Sequence, residues 1–243
     1  MLRLYTFTIS HFSEKARWAM EHAKIDFEEK RLLPGPHLFT IKRLAKKSSV
    51  PVLVHDAAVI QGSSAVLDYV QHTLGALQLA PPKGREEDAS ALEARTDRAF
   101  GAGIQTILYD VLLHDPSKVV DLWTQGGPFW GRAFYAVAFG AITKNLVRMY
   151  KIRPPHVDQA KDLFRKTMDE TDRLIENRPY FFGDTPCRVD FGIAALLAPI
   201  CRPPEHLLQW PELSEEAANV CNEFAGRPTW DFTLRMYREH RKC

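Results

Sequence analysis

The stretch YTFTISHFSEKARW, residues 5–18, changes from a strand pattern to a helix pattern within a few residues. Its first five residues are all aromatic or β-branched, which is typical of a strand that helices cover on both faces. Ser13 precedes a helix pattern that ends at Lys24, with small residues recurring on one side so that the helix can pack closely against a sheet. Hydroxyl side chains, and no cysteine, stand where the strand meets the helix.

The next residues continue the alternation of strands and helices. A strand is predicted over residues 25–32 and a short basic helix over residues 38–45, with a Pro-Gly-Pro turn between them. Residues 48–61 predict two strands around a turn, and a third helix pattern begins at Ser63. The order βαβαββα, with a proline at the start of the third strand, predicts a compact α/β domain of the thioredoxin type.

The rest of the chain has a helical pattern. Residues 77–84, LQLAPPKG, interrupt every period and are predicted to be a linker. Asp115-Pro116 ends the first long helical pattern, and further Gly- and Pro-rich turns divide the remaining residues into additional helices. We therefore predict an α/β domain over residues 1–76 and an all-helical domain over residues 85–243.

Composition narrows the classes of function. The 243 residues carry 32 basic and 30 acidic side chains, a net charge of +2, which does not favour a nucleic-acid-binding protein. The longest strongly apolar piece, residues 133–142, is shorter than the ~20 residues that a membrane crossing needs. The N-terminus begins as a strand pattern without a targeting leader, so a cytoplasmic location is expected. The cysteines match neither a zinc pattern nor a redox pair, so no metal is expected and we predict buried free thiols at Cys187, Cys201, Cys221 and Cys243.

Three stretches, in this order, resemble the glutathione transferase superfamily. Ser10-His11-Phe12-Ser13 with the following Lys15-Ala16-Arg17 is similar to the opening motif of the family, although His11 stands where the family often has proline. Val50-Pro51-Val52-Leu53 is similar to the family's VPVL with its cis-proline. Gly183-Asp184 followed by Cys187-Arg188-Val189-Asp190 is similar to the capping motif of the helical domain, in which Asp190 would have a folding role. The resemblance implies a homodimeric detoxification enzyme that binds glutathione as a substrate together with a small hydrophobic acceptor.

Such an enzyme must stabilise the thiolate of glutathione, because a free thiol has a pKa of about 8.5. The resemblance places Ser10 at this thiol, as a hydroxyl donor near the N-terminus of the first helix. The alternative is that Ser10 or Ser13 simply caps the helix, and capping is the favoured role for Ser13. Tyr5 is a rival hydroxyl, but its position within a strand favours packing.

The resemblance also implies how the peptide part of glutathione binds. Val50, before a cis Pro51, would pair through its backbone with the cysteinyl residue. Ser63, as the N-cap of the third helix, would place a set of free N–H groups near the γ-glutamyl carboxylate. Gly62 replaces the usual acidic or amide side chain in this region, although Gln61 next to it could reach the same group.

Cations are expected at the glycyl carboxylate, where Lys46, Lys47 and His37 are the candidates, although a basic helix face is more often simply solvated. The aromatic segment of residues 129–140 is more typical of a core than of a pocket, but it could cover or extend the acceptor pocket. That pocket is predicted between the domains, with walls formed by Phe12, Phe100, Ile104, Leu108 and Tyr109.

The sequence alone leaves two other functions open. A non-catalytic binding or scaffold protein with the same fold would be consistent with Gly62, which removes a contact to glutathione. A thiol-disulfide reductase is disfavoured, because the tip of the first strand has no cysteine. The sequence favours the transferase.

Overall fold

The computed structural model describes residues 1–241, so the predicted buried thiol of Cys243 lies outside the described residues. The N-terminal elements follow the predicted order and form one four-stranded sheet, β2-β1-β3-β4. Strands β1 and β2 pair in parallel, whereas β1–β3 and β3–β4 pair antiparallel, which confirms the thioredoxin-type domain. Its elements are β1 (Leu2–Thr6), α1 (His11–His22), β2 (Glu28–Arg31), α2 (His37–Leu44), β3 (Val52–His55), β4 (Ala58–Gln61) and α3 (Ser63–His72).

Helix α1 begins three residues earlier than the sequence suggests. Ser10 is its N-cap, with an extended backbone and an Oγ that accepts a hydrogen bond from the Ser13 N–H at 3.2 Å. The prediction that Ser13 caps the helix is therefore wrong, because Ser13 lies in the first turn and is buried. The helix ends at His22, before Lys24 adopts a left-handed φ of 56°.

Helix α3 differs from the prediction in its cap. Gly62 is the N-cap and Ser63 is the first helical residue, so the expected capping role of Ser63 is wrong. The reason is the backbone of Gly62, whose φ of 103° and ψ of 145° lie in a region that a residue with a Cβ rarely adopts. Its carbonyl still accepts the first helical hydrogen bond, from the Val66 N–H at 2.9 Å.

The remainder of the described chain is helical, as predicted. A 3₁₀ turn (Leu77–Leu79) leads into α4, and a π-helical segment (Asp97–Ala102) joins α4 directly to α5. Within residues 1–241, no helix is long and apolar enough to cross a membrane. The helices are α4 (Glu86–Thr96), α5 (Gly103–Leu112), α6 (Pro116–Thr124), α7 (Gly131–Met149), α8 (His156–Ile175), α9 (Arg188–Cys201), α10 (Glu215–Asn222) and α11 (Pro228–His240).

Helix α9 forms the centre of the molecule and is buried along nearly its whole length. It packs against α1, where the Trp18 and Phe191 rings lie 5.4 Å apart. Its first turn is closed by Asp190, which is fully buried and accepts hydrogen bonds from the Cys187 and Phe181 N–H groups, each at 2.9 Å. The folding role predicted for Asp190 is therefore confirmed.

Helices α6 and α7 build a second, smaller core and dock on the N-terminal domain. A Cβ at Gly127 would lie 2.5 Å from the Leu33 side chain and one at Gly131 would lie 2.8 Å from it, so a larger residue at either position would displace the buried Leu33. The Tyr135 hydroxyl donates a hydrogen bond to the Pro34 carbonyl at 2.7 Å. Tyr135 of the aromatic segment thus packs as core, with Phe134 and Phe139 partly buried against it, whereas Phe129, Trp130 and Val137 are exposed.

Candidate functional site

A cavity of about 540 Å³ lies where the N-terminal domain meets the helices α5, α6 and α7. Predicted acceptor residues Phe12, Ile104, Leu108 and Tyr109 all line it. Phe100 does not, because it is fully buried in the core with its ring 5.0 Å from the ring of Phe164. Its predicted place in the pocket wall is corrected accordingly.

Ser10 lines this cavity at the N-terminus of α1. As the helix cap, its oxygen accepts one hydrogen bond, and a hydroxyl has in addition one hydrogen to donate. Capping and donation to a ligand are therefore compatible for the same side chain. The half-buried position beside the positive end of the helix dipole suits an anion such as a thiolate.

Val50 lines the same cavity, and the Val50–Pro51 peptide bond is cis, as predicted. Within residues 1–241, the backbone N–H and C=O of Val50 make no hydrogen bond to other backbone groups, whereas the next carbonyl, of Pro51, accepts one from the Gly62 N–H at 3.0 Å. Val50 thus offers one donor and one acceptor of the kind that an extended peptide uses to join a sheet edge.

Gln61 has a different role from the one predicted. Its Oε1 accepts a hydrogen bond from the Lys47 N–H at 3.1 Å, and its Nε2 donates to the carbonyls of Lys47 and Ser49 at 2.8 and 2.9 Å. The amide thereby holds the loop that precedes Val50. At Gly62, apart from the two adjacent residues, no atom of residues 1–241 lies within 4 Å of where a Cβ would stand, so the space on this side of the backbone is open.

The three predicted cations for the glycyl carboxylate are not all available, and Lys46 is exposed and does not line the cavity. His37 lines the cavity, but its Nδ1 accepts from the Gly35 N–H at 3.0 Å and its Nε2 donates to the Ser48 carbonyl at 2.9 Å. Burial lowers the pKa of His37, so the ring is neutral at pH 7. Its two hydrogen bonds stabilise the loops on either side of α2. Lys47 is exposed and does not line the cavity.

His11 is a site residue whose role sequence reasoning missed. It is only 5% exposed, lines the cavity, and lies with its Nε2 3.1 Å from the Gly101 carbonyl. Burial lowers the pKa of His11 to about 4, so the ring is neutral and its Nε2–H donates to that carbonyl. No pattern in the sequence distinguishes a buried histidine of this kind from a ligand-binding one.

Buried ion pairs hold α1 against the helical domain. The Lys15 ammonium is fully buried and lies 2.8 Å from Glu93 and 2.6 Å from Asp97, and Arg188 of α9 pairs with Glu93 at 2.9 Å. On the other side of α1, Glu14 pairs with Arg17 and with Arg241, and Arg17 also pairs with Glu29. These charged side chains fix the helix whose N-terminus carries Ser10.

The α6–α7 segment extends the cavity. From the sequence, this role was the less favoured alternative to packing in the core. Val119 and Leu122 of α6 and Leu146 of α7 line it. The Trp123 indole N–H donates to the Tyr109 hydroxyl at 2.9 Å, which fixes the wall where the segment meets α5. The wall is predominantly apolar, as expected for a site that takes a hydrophobic molecule.

Contact between Gly101 and Phe12 gives a first prediction. A Cβ at Gly101 would lie 2.2 Å from Cζ of the Phe12 ring, so the ring has to move in Gly101→Ala. We expect this variant to lose about 1–3 kcal/mol of unfolding free energy through overpacking. In a chain that already carries Phe12→Ala, adding Gly101→Ala should cost little stability, because the ring it would clash with is gone. Urea denaturation of both single variants and the double variant measures this difference as a double-mutant cycle. Additive losses would show that the contact is not what Gly101 preserves.

Comparison with known proteins identifies the fold. Residues 4–76 match the family described as glutathione S-transferase, N-terminal domain. Residues 4–76 thus form a domain of this family, and the chain as a whole shares the fold of glutathione transferases. No curated protein sequence matches the chain. Within residues 1–241, no group of three or more His, Cys, Asp or Glu side chains could hold a metal ion.

Several solved structures share the fold at low sequence identity. Human glutathione S-transferase T1-1 is 16% identical, with a TM-score of 0.64 over 100% of this chain and 84% of that one. A glutathione S-transferase from Methylobacterium radiotolerans, in complex with glutathione sulfonate, is 18% identical with a TM-score of 0.57 over 96% and 94%. The β-etherase LigF from a Sphingobium strain is 15% identical with a TM-score of 0.61 over 96% and 98%. The fold is thus shared by proteins of different named activities.

Proposed function

We propose that this protein is a glutathione transferase that activates the thiol of glutathione for attack on a hydrophobic electrophile or peroxide. The observation that carries the proposal is the position of Ser10. Its hydroxyl stands at the N-terminus of α1, in the same cavity as the unpaired backbone groups of Val50. A thiol docked beside Val50 would meet a hydrogen-bond donor and the positive end of a helix dipole.

Two residues at α3 complete the proposed glutathione site. The first turn of α3, from Ser63 onward, offers free N–H groups to the γ-glutamyl carboxylate. The space around Gly62 leaves room for that group to approach the backbone directly. For the glycyl carboxylate, Lys47 is the candidate cation, because it is exposed and directly precedes Ser48 and Ser49, which line the cavity. His37 stabilises the same loop through its two hydrogen bonds.

The reaction follows from the site. The Ser10 hydroxyl donates to the sulfur and lowers the pKa of the glutathione thiol, whose proton passes to solvent. The thiolate attacks the electrophilic atom of the acceptor, a bond to sulfur forms, and the leaving group departs with its electron pair. The apolar cavity wall holds the acceptor next to the sulfur and excludes water. Several expectations from the sequence stay predictions. They are the domain limits 1–76, 77–84 and 85–243, the homodimer, the cytoplasmic location and the role in detoxification.

Replacing Ser10 tests this function. We expect Ser10→Ala to lower glutathione-dependent turnover of 1-chloro-2,4-dinitrobenzene by about 10- to 100-fold, the value of one hydrogen bond to a charged group. Glutathione affinity should change little, because the thiol is protonated in most unbound glutathione. The pKa of the bound thiol, followed by thiolate absorbance against pH, should rise.

Ser10→Thr serves as the matched control, because it keeps both the hydroxyl and the capping oxygen. Its bound thiol should keep a low pKa even if its stability falls slightly. Unchanged turnover in Ser10→Ala would remove this residue from the mechanism.

A non-catalytic binding protein is the second candidate. It is favoured by the engagement of Gln61 with the loop at Lys47 and by the missing side chain at Gly62, which together leave few side chains for the γ-glutamyl group. Calorimetric titration with glutathione separates the two candidates. Absence of binding at millimolar glutathione would favour the second.

A further inference from the structure

Arg202 is the one arginine that lines the cavity within residues 1–241, and it follows the last residue of α9. It is half-buried and adopts a left-handed backbone conformation with a φ of 49°. The same cavity is lined by Pro199, Trp210, Leu213 and Cys221, and Arg202 is close enough to Cys221 to act on its charge. The Arg202 guanidinium is therefore part of a cavity wall that is otherwise apolar near the end of α9.

No anion is provided for this arginine by the described part of the chain. Within residues 1–241, the Arg202 guanidinium forms no ion pair or hydrogen bond, and its Nε is buried without a partner. By contrast, the buried arginines Arg17, Arg188 and Arg241 each pair with a carboxylate. No Asp or Glu among the described residues lines the cavity.

An unpaired guanidinium beside an apolar surface has a clear preference for ligands. Moving a cation away from water is costly unless an anion or several acceptors replace the lost hydration. A guanidinium binds planar or tetrahedral oxyanions, such as carboxylate and sulfonate, through two parallel hydrogen bonds. The wall next to it would bury an aromatic or aliphatic body of the same ligand.

Arg202 and Ser10 lie at the same end of the molecule. Helix α9 packs along α1, where Gly192 would place a Cβ 3.3 Å from Lys15, and both helix ends open into the same cavity. His206, four residues after Arg202, lies close enough to His11 to disfavour protonation of that ring. An anion on Arg202 would thus belong to a molecule that also reaches the region of the candidate thiol site.

We propose that the cavity takes an amphipathic anion, with an aromatic or aliphatic body against the apolar wall and a carboxylate or sulfonate on the Arg202 guanidinium. As a statement about the acceptor substrate, this rests on the proposed function. As a statement about binding, it can be tested without glutathione.

Two fluorescent probes of matched shape test the proposal. The first is 8-anilino-1-naphthalenesulfonate, and the second is N-phenyl-1-naphthylamine, which has the same ring system without the sulfonate. We expect the full-length protein to bind the anionic probe more tightly than the neutral one. Arg202→Met should weaken the anionic probe by about tenfold or more and leave the neutral probe unchanged.

Matched variants separate the charge from the fold. Arg202→Lys keeps the charge without the planar fork and should retain part of the preference. Arg238→Met removes the same charge from an exposed position on α11 and should alter neither affinity. Binding of the neutral probe to each variant shows that the cavity is intact.

Two results would overturn the proposal. They are an equal loss of both probes in Arg202→Met, and no loss of the anionic probe. The probe titrations contain no glutathione. A failure of the protein to bind glutathione would therefore contradict the proposed function without affecting the test of Arg202.

Discussion

Asp190→Ala is expected to lower the free energy of unfolding by about 3–5 kcal/mol, the largest loss of stability predicted for a single substitution in this protein. The carboxylate is fully buried and accepts hydrogen bonds from the Phe181 and Cys187 N–H groups. Removing it leaves two buried donors without partners, each at a cost of about 1–3 kcal/mol. The consequence is large because α9 is the helix on which α1 and α11 both pack.

Urea denaturation at pH 7 measures this effect. Asp184→Ala is the control, because it makes the same substitution at an exposed aspartate and should change the stability little. Asp190→Asn keeps one carbonyl acceptor and should lose less than Asp190→Ala. A loss below about 1 kcal/mol in Asp190→Ala would contradict the assigned role of the carboxylate.

Acidification from pH 7 to pH 5 is expected to destabilise the protein through two buried histidines. Burial is the main cause that lowers the pKa of His11 and of His206, each from an ordinary 6.5 to about 4. Between these values the unfolded chain binds protons that the folded chain does not, so stability falls as the pH falls. The two histidines together account for about 4 kcal/mol between pH 7 and pH 5. Glu14, which faces His206, stays ionised throughout because its pKa is about 2.

Unfolding free energies at pH 7, 6 and 5 measure this dependence. His11→Gln and His206→Gln should each flatten the curve, because glutamine has no proton to gain. A curve that stays flat in the parent protein between pH 7 and pH 5 would mean that neither ring is neutral and dehydrated in the folded state.

Local patterns in the sequence were sufficient to predict the fold. The strand-to-helix junction at residues 5–18, the two strands around residues 56–58 and the capping role of Asp190 are all set by residues close together in the chain. Cap positions were harder to predict, since Ser10 and Ser13 differ only in backbone conformation, which the sequence does not state.

The site was predicted less completely, because its missing parts depend on contacts between distant residues. His11 contacts Gly101, and Lys15 contacts Glu93 and Asp97, only after the two domains have packed together. Phe100 was misplaced because residues at helical spacing can face either the core or the cavity, and the π-helical segment before α5 changes which side they face. Arg202 has no distinguishing pattern in the sequence, because only the folded cavity separates it from the other arginines.

The packing of α6 and α7 around their own aromatic core has a consequence for how this protein could diversify. Cavity-facing side chains on these helices can be exchanged without touching Ser10 or Val50, provided that Gly127 and Gly131 keep the close approach to Leu33. Under the proposed function, the choice of acceptor and the activation of sulfur are therefore separable traits, and we expect a library restricted to the α6–α7 wall to change the first and keep the second.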